Sequence, residues 1–192
     1  MDEGELIRSR RLAPPKGRSF WVFGYGSLMW RPDFPFREAT PALLRGYHRA
    51  FCIWSFHYRG SAERPGLVLG LDRGGACRGR VYLVAAEAGS AVSEYLHERE
   101  MTTGVYETRW LPVEIPGRRV IAAAYVADRT HPQFTGKLAP ERLVELVLQG
   151  VGEMGSCLDY LESTVRHLDE LGIADCPIHR LHRLVESRAS RG

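Results

Sequence analysis

Two stretches of the chain carry residue types that could do chemistry. The first is Phe23-Gly24-Tyr25-Gly26-Ser27-Leu28-Met29-Trp30. A strand that runs into Gly-Tyr-Gly-Ser can bend sharply and turn successive N–H groups toward one point, and without Cβ atoms a ligand can approach closely. Such a nest suits an anionic group. A dinucleotide fingerprint would need a third glycine followed by a helix, but Met29 stands at that position and Arg31-Pro32 interrupts a helix there. Ser27 lacks the G-x-S-x-G context of an acyl nucleophile. Its hydroxyl or N–H reads instead as a hydrogen-bonding group for a substrate carboxylate.

The second stretch is Ser90–Glu100, which has the period of a helix, with Ser90 as N-cap. Val92, Tyr95 and Leu96 define its inward face. At about 100° per residue, Glu94 lies roughly 150° from the centre of that face, Glu98 about 110° and Glu100 about 90°. Glu100 is nearest the core and ends the helix, where a cleft could open, although its margin over Glu98 is small. Arg99 falls almost at the centre of the inward face, an odd place for an unpaired charge. We expect it to pair with a buried carboxylate or carbonyl and to support the site.

Several elements must position these groups. Phe20–Tyr25 is an aromatic and β-branched run, read as a buried strand. Further strands are expected at Ala50–His57, Gly66–Leu71, Arg78–Val84, Tyr106–Val113 and Val120–Ala127, punctuated by Gly60, Pro65-Gly66, Gly74-Gly75 and Pro116-Gly117. The last third is helical. Pro140 opens a helix to about Val151. Leu158, Leu161, Val165, Leu168 and Leu171 line another that Gly172 ends, and Ile178, Leu181 and Leu184 mark a short final one. Strands first and helices later, with one helix inserted among the strands, imply an α+β domain on a mostly antiparallel or barrel-like sheet. The expected organisation is a flexible basic segment over residues 1–19, a single domain over 20–187 and a tail over 188–192.

Composition removes other classes. The 192 residues are 44% hydrophobic and 26% charged, too apolar for a disordered chain. The longest apolar stretch, Val120–Ala127, is far short of the ~20 residues that span a bilayer. Residues 1–19 carry Asp2, Glu3 and Glu5 and have no apolar core, so they do not read as a secretory signal. The four cysteines are widely spaced, neither a zinc motif nor a disulfide framework, and Cys52 and Cys157 read as small core residues in a reducing cytoplasm. The net charge is +3, with basic residues crowded at the two ends (Arg8, Arg10, Arg11, Lys16, Arg18; Arg180, Arg183, Arg188, Arg191). These read as solvated tails; no signature of nucleic-acid binding accompanies them. His179-x-x-His182 has metal-ligand spacing but no acidic third ligand, and reads as helix surface. Trp21, Trp30, Trp54 and Trp110 read as core fillers.

The run Val22–Phe36 (VFGYGSLMWRPDFPF) closely resembles the signature of the ChaC-type gamma-glutamylcyclotransferases. The similarity continues through Gly46-Tyr47, Arg49–Trp54, Pro65–Val68, Gly79–Tyr82, Tyr95–Met101, Tyr125–Asp128 with His131-Pro132, and Asp159-Tyr160-Leu161, so that it covers about residues 20–187. The resemblance implies a small β-barrel flanked by helices that cleaves glutathione to 5-oxoproline and cysteinylglycine, with no metal or cofactor. It places the γ-glutamyl-binding segment on Val22, Phe23, Gly24, Tyr25, Gly26 and Ser27, with Leu28 beside them, and the catalytic glutamate on Glu100. Many eukaryotic relatives have two fewer residues between that glutamate and the next tyrosine than this chain has between Glu100 and Tyr106, a difference that resembles the bacterial branch. Tyr25 and Tyr125 are candidate polar walls. The implied partner is a small molecule, neither nucleic acid nor membrane; the oligomeric state is open. The alternatives are a cyclotransferase for other γ-glutamyl peptides or amines, and a non-catalytic γ-glutamyl-binding regulator of a transporter.

Overall fold

The computed structural model describes residues 12–191. Of the N-terminal segment expected to be flexible, residues 1–11 lie outside the described residues, while Leu12 is buried and its carbonyl accepts a hydrogen bond from the Ser93 hydroxyl. The chain forms two compact units. The first comprises residues up to His48 together with Leu71–His131; the second comprises Arg49–Gly70 and the chain from Pro132 onward.

The architecture is α+β. Five strands close a barrel in the order β1-β3-β2-β4-β5. They are β1 (Phe20–Gly24), β2 (Glu38–Ser55), β3 (Gly66–Val84), β4 (Tyr106–Ile115) and β5 (Arg118–Ala127). The β1–β3, β2–β4 and β4–β5 pairs are antiparallel, and β1 closes the barrel by parallel pairing of Trp21 and Val22 with Ala122 and Ala123. As a stave with a neighbour on each edge and cover on both faces, β1 needs a run with no polar alternation, and all five residues of FWVFG are buried.

Two strands are longer than expected. β2 starts at Glu38, twelve residues before Ala50, and Gly66–Val84 is one continuous strand instead of two. Gly74 and Gly75, read as a break, sit inside β3 with φ of +100° and +69°. Such residues bend a strand without ending it, and a strand that wraps a small barrel needs such bends. Trp110, expected in the core, is instead 38% exposed on β4.

The inserted helix is α1 (Gly89–Glu100). Its N-cap is Ala88 rather than Ser90, with no side-chain cap; Ser90 is exposed in the first turn. Val92, Leu96 and the following Met101 join Phe20 and Val22 of β1, Leu28, Phe34, Tyr82 and Val84 of β3, and Ala123 and Tyr125 of β5 in one hydrophobic cluster. That packing anchors the end of α1 within the first unit.

The second unit holds α2 (Pro140–Gln149), α3 (Cys157–Glu170) and α4 (Cys176–Ala189). α2 stops short of Val151, which opens a two-residue strand, β6 (Val151–Gly152), paired with β7 (Gly155–Ser156). α3 starts with a capping box in which the Asp159 N–H donates to the Ser156 hydroxyl at 2.9 Å and the Ser156 N–H to the Asp159 carboxylate at 3.2 Å. It ends where the N–H groups of Gly172 and Ile173 bond back to the carbonyls of Asp169 and Leu168. Asp175 caps α4 and forms an ion pair with Arg49, whose side chain is fully buried. Among the described residues no helix is long and apolar enough to cross a membrane.

Candidate active site

The glycine turn leaves the end of β1. Ser27–Met29 form one 3-10 turn, closed by the Met29 N–H donating to the Gly26 carbonyl at 2.9 Å; the first N–H groups of such a turn have no partner within it. Tyr82 fixes the turn from below, its hydroxyl within 2.8 Å of the carbonyl oxygens of Leu28 and Met29. The crossing of β1 and β3 beneath the turn is tight. A Cβ on Gly79 would lie 2.3 Å from the Gly24 carbonyl oxygen and 2.9 Å from the Phe23 ring, so only glycine fits there.

Arg99 joins this turn to the helix end. Its Nη2 donates to the Ser27 hydroxyl at 2.9 Å, and its Nη1 to the Arg31 carbonyl and the Tyr95 hydroxyl, each at 2.7 Å. Its Nε lies 3.2 Å from Glu100 Oε1, and Asp33 adds a carboxylate oxygen at 3.6 Å. The guanidinium is spread over the turn, the loop after it and its own helix, a geometry that five donors in a planar fork allow.

Glu100 is 18% exposed, whereas Glu94 and Glu98 are exposed. Burial pushes its carboxyl above the ordinary carboxylate range, while the Arg99 charge and hydrogen bond pull in the opposite direction without cancelling the rise. Such a carboxylate can take and return a proton. Tyr125 is 1% exposed; burial first, and the Glu100 charge second, push its phenol well up, so that it stays protonated.

The structure therefore brings Ser27, Arg99 and Glu100 into one hydrogen-bonded group, with Val22, Leu28 and Tyr125 in the adjoining cluster. Phe23 and Tyr25 are buried; the Phe23 ring lies against Gly79.

Residues 20–188 match the family described as ChaC-like protein. The chain belongs to that family. This ChaC-like chain is similar to the glutathione-specific gamma-glutamylcyclotransferase of Escherichia coli K12, at 36% identity over 156 residues, covering 81% of this chain and 68% of that protein. It is also similar to the protein of the same name from Schizosaccharomyces pombe, at 30% identity over 188 residues, 86% of this chain and 90% of that one. Among solved structures, a glutathione-specific gamma-glutamyl cyclotransferase from yeast superimposes with a TM-score of 0.80 at 21% identity, covering 88% and 96% of the two chains, which shows the shared fold.

Three groups at this ChaC-like site were not picked out from the sequence. Asp33 and the Tyr95 hydroxyl partner Arg99, and Thr108 stands opposite Tyr125 in the β4–β5 ladder. Asp33 left a faint local signal: it sits between prolines and adopts φ of +53°, a conformation that aspartate tolerates better than most residues. From sequence Tyr95 reads only as part of the inward face of its helix, and nothing local marks Thr108.

Proposed function

We propose that this protein converts glutathione to 5-oxoproline and cysteinylglycine, with Glu100 as the proton carrier. The observation that carries this reading is the link from Glu100 through Arg99 to Ser27 at the glycine turn. It sets a partly desolvated carboxylate beside a turn suited to the γ-glutamyl head. The reaction needs little more. Glu100 takes a proton from the substrate's α-ammonium, and the freed amine attacks the γ-carbonyl of the same residue. The new C–N bond closes a five-membered lactam. The bond to the cysteine nitrogen then breaks as Glu100 returns the proton to that leaving nitrogen, and the second proton of the attacking nitrogen passes to the freed amine, which departs as an ammonium. Because the attack is intramolecular, holding the folded conformer supplies much of the rate. No covalent nucleophile or redox step enters, and the names of the E. coli and S. pombe relatives agree with this substrate. The four cysteines, all among the described residues, form no disulfide, which accords with action in a reducing cytoplasm.

The test is release of 5-oxoproline by the purified protein from reduced glutathione and from a panel of other γ-glutamyl compounds, beside Glu100→Gln. Release from glutathione, lost by a factor of about 10²–10⁴ in the variant, is expected. Release only from other compounds overturns the substrate. A Glu100→Gln protein that keeps more than a few per cent of the activity overturns the base.

A further inference from the structure

Thr108 and Tyr125 stand directly opposite one another in the antiparallel β4–β5 ladder. Residues so paired send their side chains to the same face of the sheet. That face holds Tyr125 in the cluster with Val22, Leu28, Leu96 and Met101, the residues around the glycine turn and the end of α1. The Thr108 Oγ1 and the Tyr125 hydroxyl are both closed to solvent and lie near enough to interact with each other, but neither has a partner of good hydrogen-bond geometry among the described residues. A buried hydroxyl pair can share one hydrogen bond at most, so the remaining donor and acceptor capacity of the two carries an uncompensated desolvation cost. For a hydrophobic cluster, valine and phenylalanine would serve better at these positions. A polar ligand that reaches this face would recover the cost. The ligand group must pair with hydroxyls that can both donate and accept, within the electrostatic reach of the Glu100 carboxylate.

We infer that Thr108 is a substrate-binding residue, which with Tyr125 takes the charged amino-acid end of the γ-glutamyl group by hydrogen bonding through its hydroxyl. This rests on the cyclotransferase reading and adds to it a contact from β4, an element on the far side of Glu100 from the glycine turn in sequence. The α-ammonium that gives its proton to Glu100 belongs to that end of the substrate, so a hydroxyl there orients the amine for its attack.

Thr108→Val keeps the shape and removes the hydroxyl; Thr108→Ser keeps the hydroxyl. The experiment measures kcat/KM for 5-oxoproline release from glutathione and from γ-glutamylcysteine, together with the melting temperature of each free protein. Loss of a hydrogen bond to a charged group predicts that Thr108→Val falls by about 10-fold or more. The fall is equal on both substrates because they share the γ-glutamyl end, the melting temperature is unchanged or higher, and Thr108→Ser recovers most of the rate. Activity of Thr108→Val within about twofold of wild type overturns the inference. So does a loss that tracks a lowered melting temperature and is not rescued by serine, which marks a structural role. A loss that differs between the two substrates moves the contact to the leaving group and overturns the assignment. Wild-type protein that releases 5-oxoproline from no γ-glutamyl compound refutes the cyclotransferase reading itself, and the inference with it.

Discussion

Arg99→Lys keeps the charge at the centre of the site and removes only its shape. The guanidinium makes four close contacts: to the Arg31 carbonyl at 2.7 Å, the Tyr95 hydroxyl at 2.7 Å, the Ser27 hydroxyl at 2.9 Å and Glu100 at 3.2 Å. They radiate from three nitrogens. An ammonium presents its donors from one point and can keep about two of the four. A hydrogen bond from a charged donor is worth about 1.5–3 kcal/mol, and the lower end applies because the Arg99 side chain is 21% exposed. Loss of two such bonds amounts to about 3 kcal/mol. For a chain of this length each kcal/mol moves the melting temperature by about 2–4 °C, so a fall of about 6–12 °C is expected by calorimetry. A second readout concerns Glu100. Arg99 holds its carboxyl down against the rise that burial causes. With the Nε contact gone, the carboxyl moves further up, and a base that must be ionised to work then begins to lose activity at a higher pH as the solution is acidified. The acid limb of the kcat/KM profile therefore shifts to higher pH in Arg99→Lys. A melting temperature within about 2 °C of wild type and an unmoved acid limb would refute the role assigned to Arg99. A lower melting temperature with an unmoved limb would reduce it to a structural tie.

Two further outcomes follow from the same reasoning. Because the folded-state pKa of Glu100 lies above its ordinary 4.5, the folded protein holds that proton at pH values where the unfolded chain has released it. Its contribution to stability is therefore present below about pH 4.5 and is lost as pH rises through the folded value. Glu100→Gln should thus gain in melting temperature over wild type on going from pH 4.5 to pH 7.5; a difference constant with pH contradicts this. In the second unit, Asp175→Asn keeps an acceptor for the Ile178 N–H but strips the fully buried Arg49 guanidinium of its counter-charge. Removing one partner of a buried pair costs about 3–5 kcal/mol, or a fall of roughly 6–20 °C. A fall of less than about 3 °C would show that the pair holds little of the fold.

The barrel was legible where a local pattern matched its burial and illegible where curvature intervened. The unbroken apolar run of β1 reads as a covered strand, and the leucine spacing of α3 with Gly172 behind it reads as a capped helix. Gly46, Gly74 and Gly75 have positive φ within strands, and from sequence alone a bend and a break look alike. Hence the pattern alone starts β2 late and divides β3 in two. The same contrast holds at the site. Helical period ranks Glu100 nearer the core than Glu98 or Glu94, and Glu100 is the one of the three that is not exposed. The partners of Arg99 could not be read this way. Ser27, Arg31 and Asp33 lie some seventy residues upstream, and only closure of the barrel and the packing of Leu96 against Val22 and Tyr82 bring them to the helix end.

That long-range assembly decides how the arginine bears on the carboxylate. A carboxylate next to a guanidinium in water is held ionised and is a poor base; a carboxylate buried without a partner stays protonated and is no base. Glu100 experiences both influences at once, with burial the stronger. The arginine cannot dominate, because three of its four close contacts go to Ser27, Arg31 and Tyr95, which divide its hydrogen bonding and hold it to one side of the carboxylate. A lysine in its place, keeping about two of the four contacts, would leave Glu100 less well paired. The fork instead fixes the charge at a distance that tempers the rise without removing it, which suits the proton-carrying role proposed for Glu100.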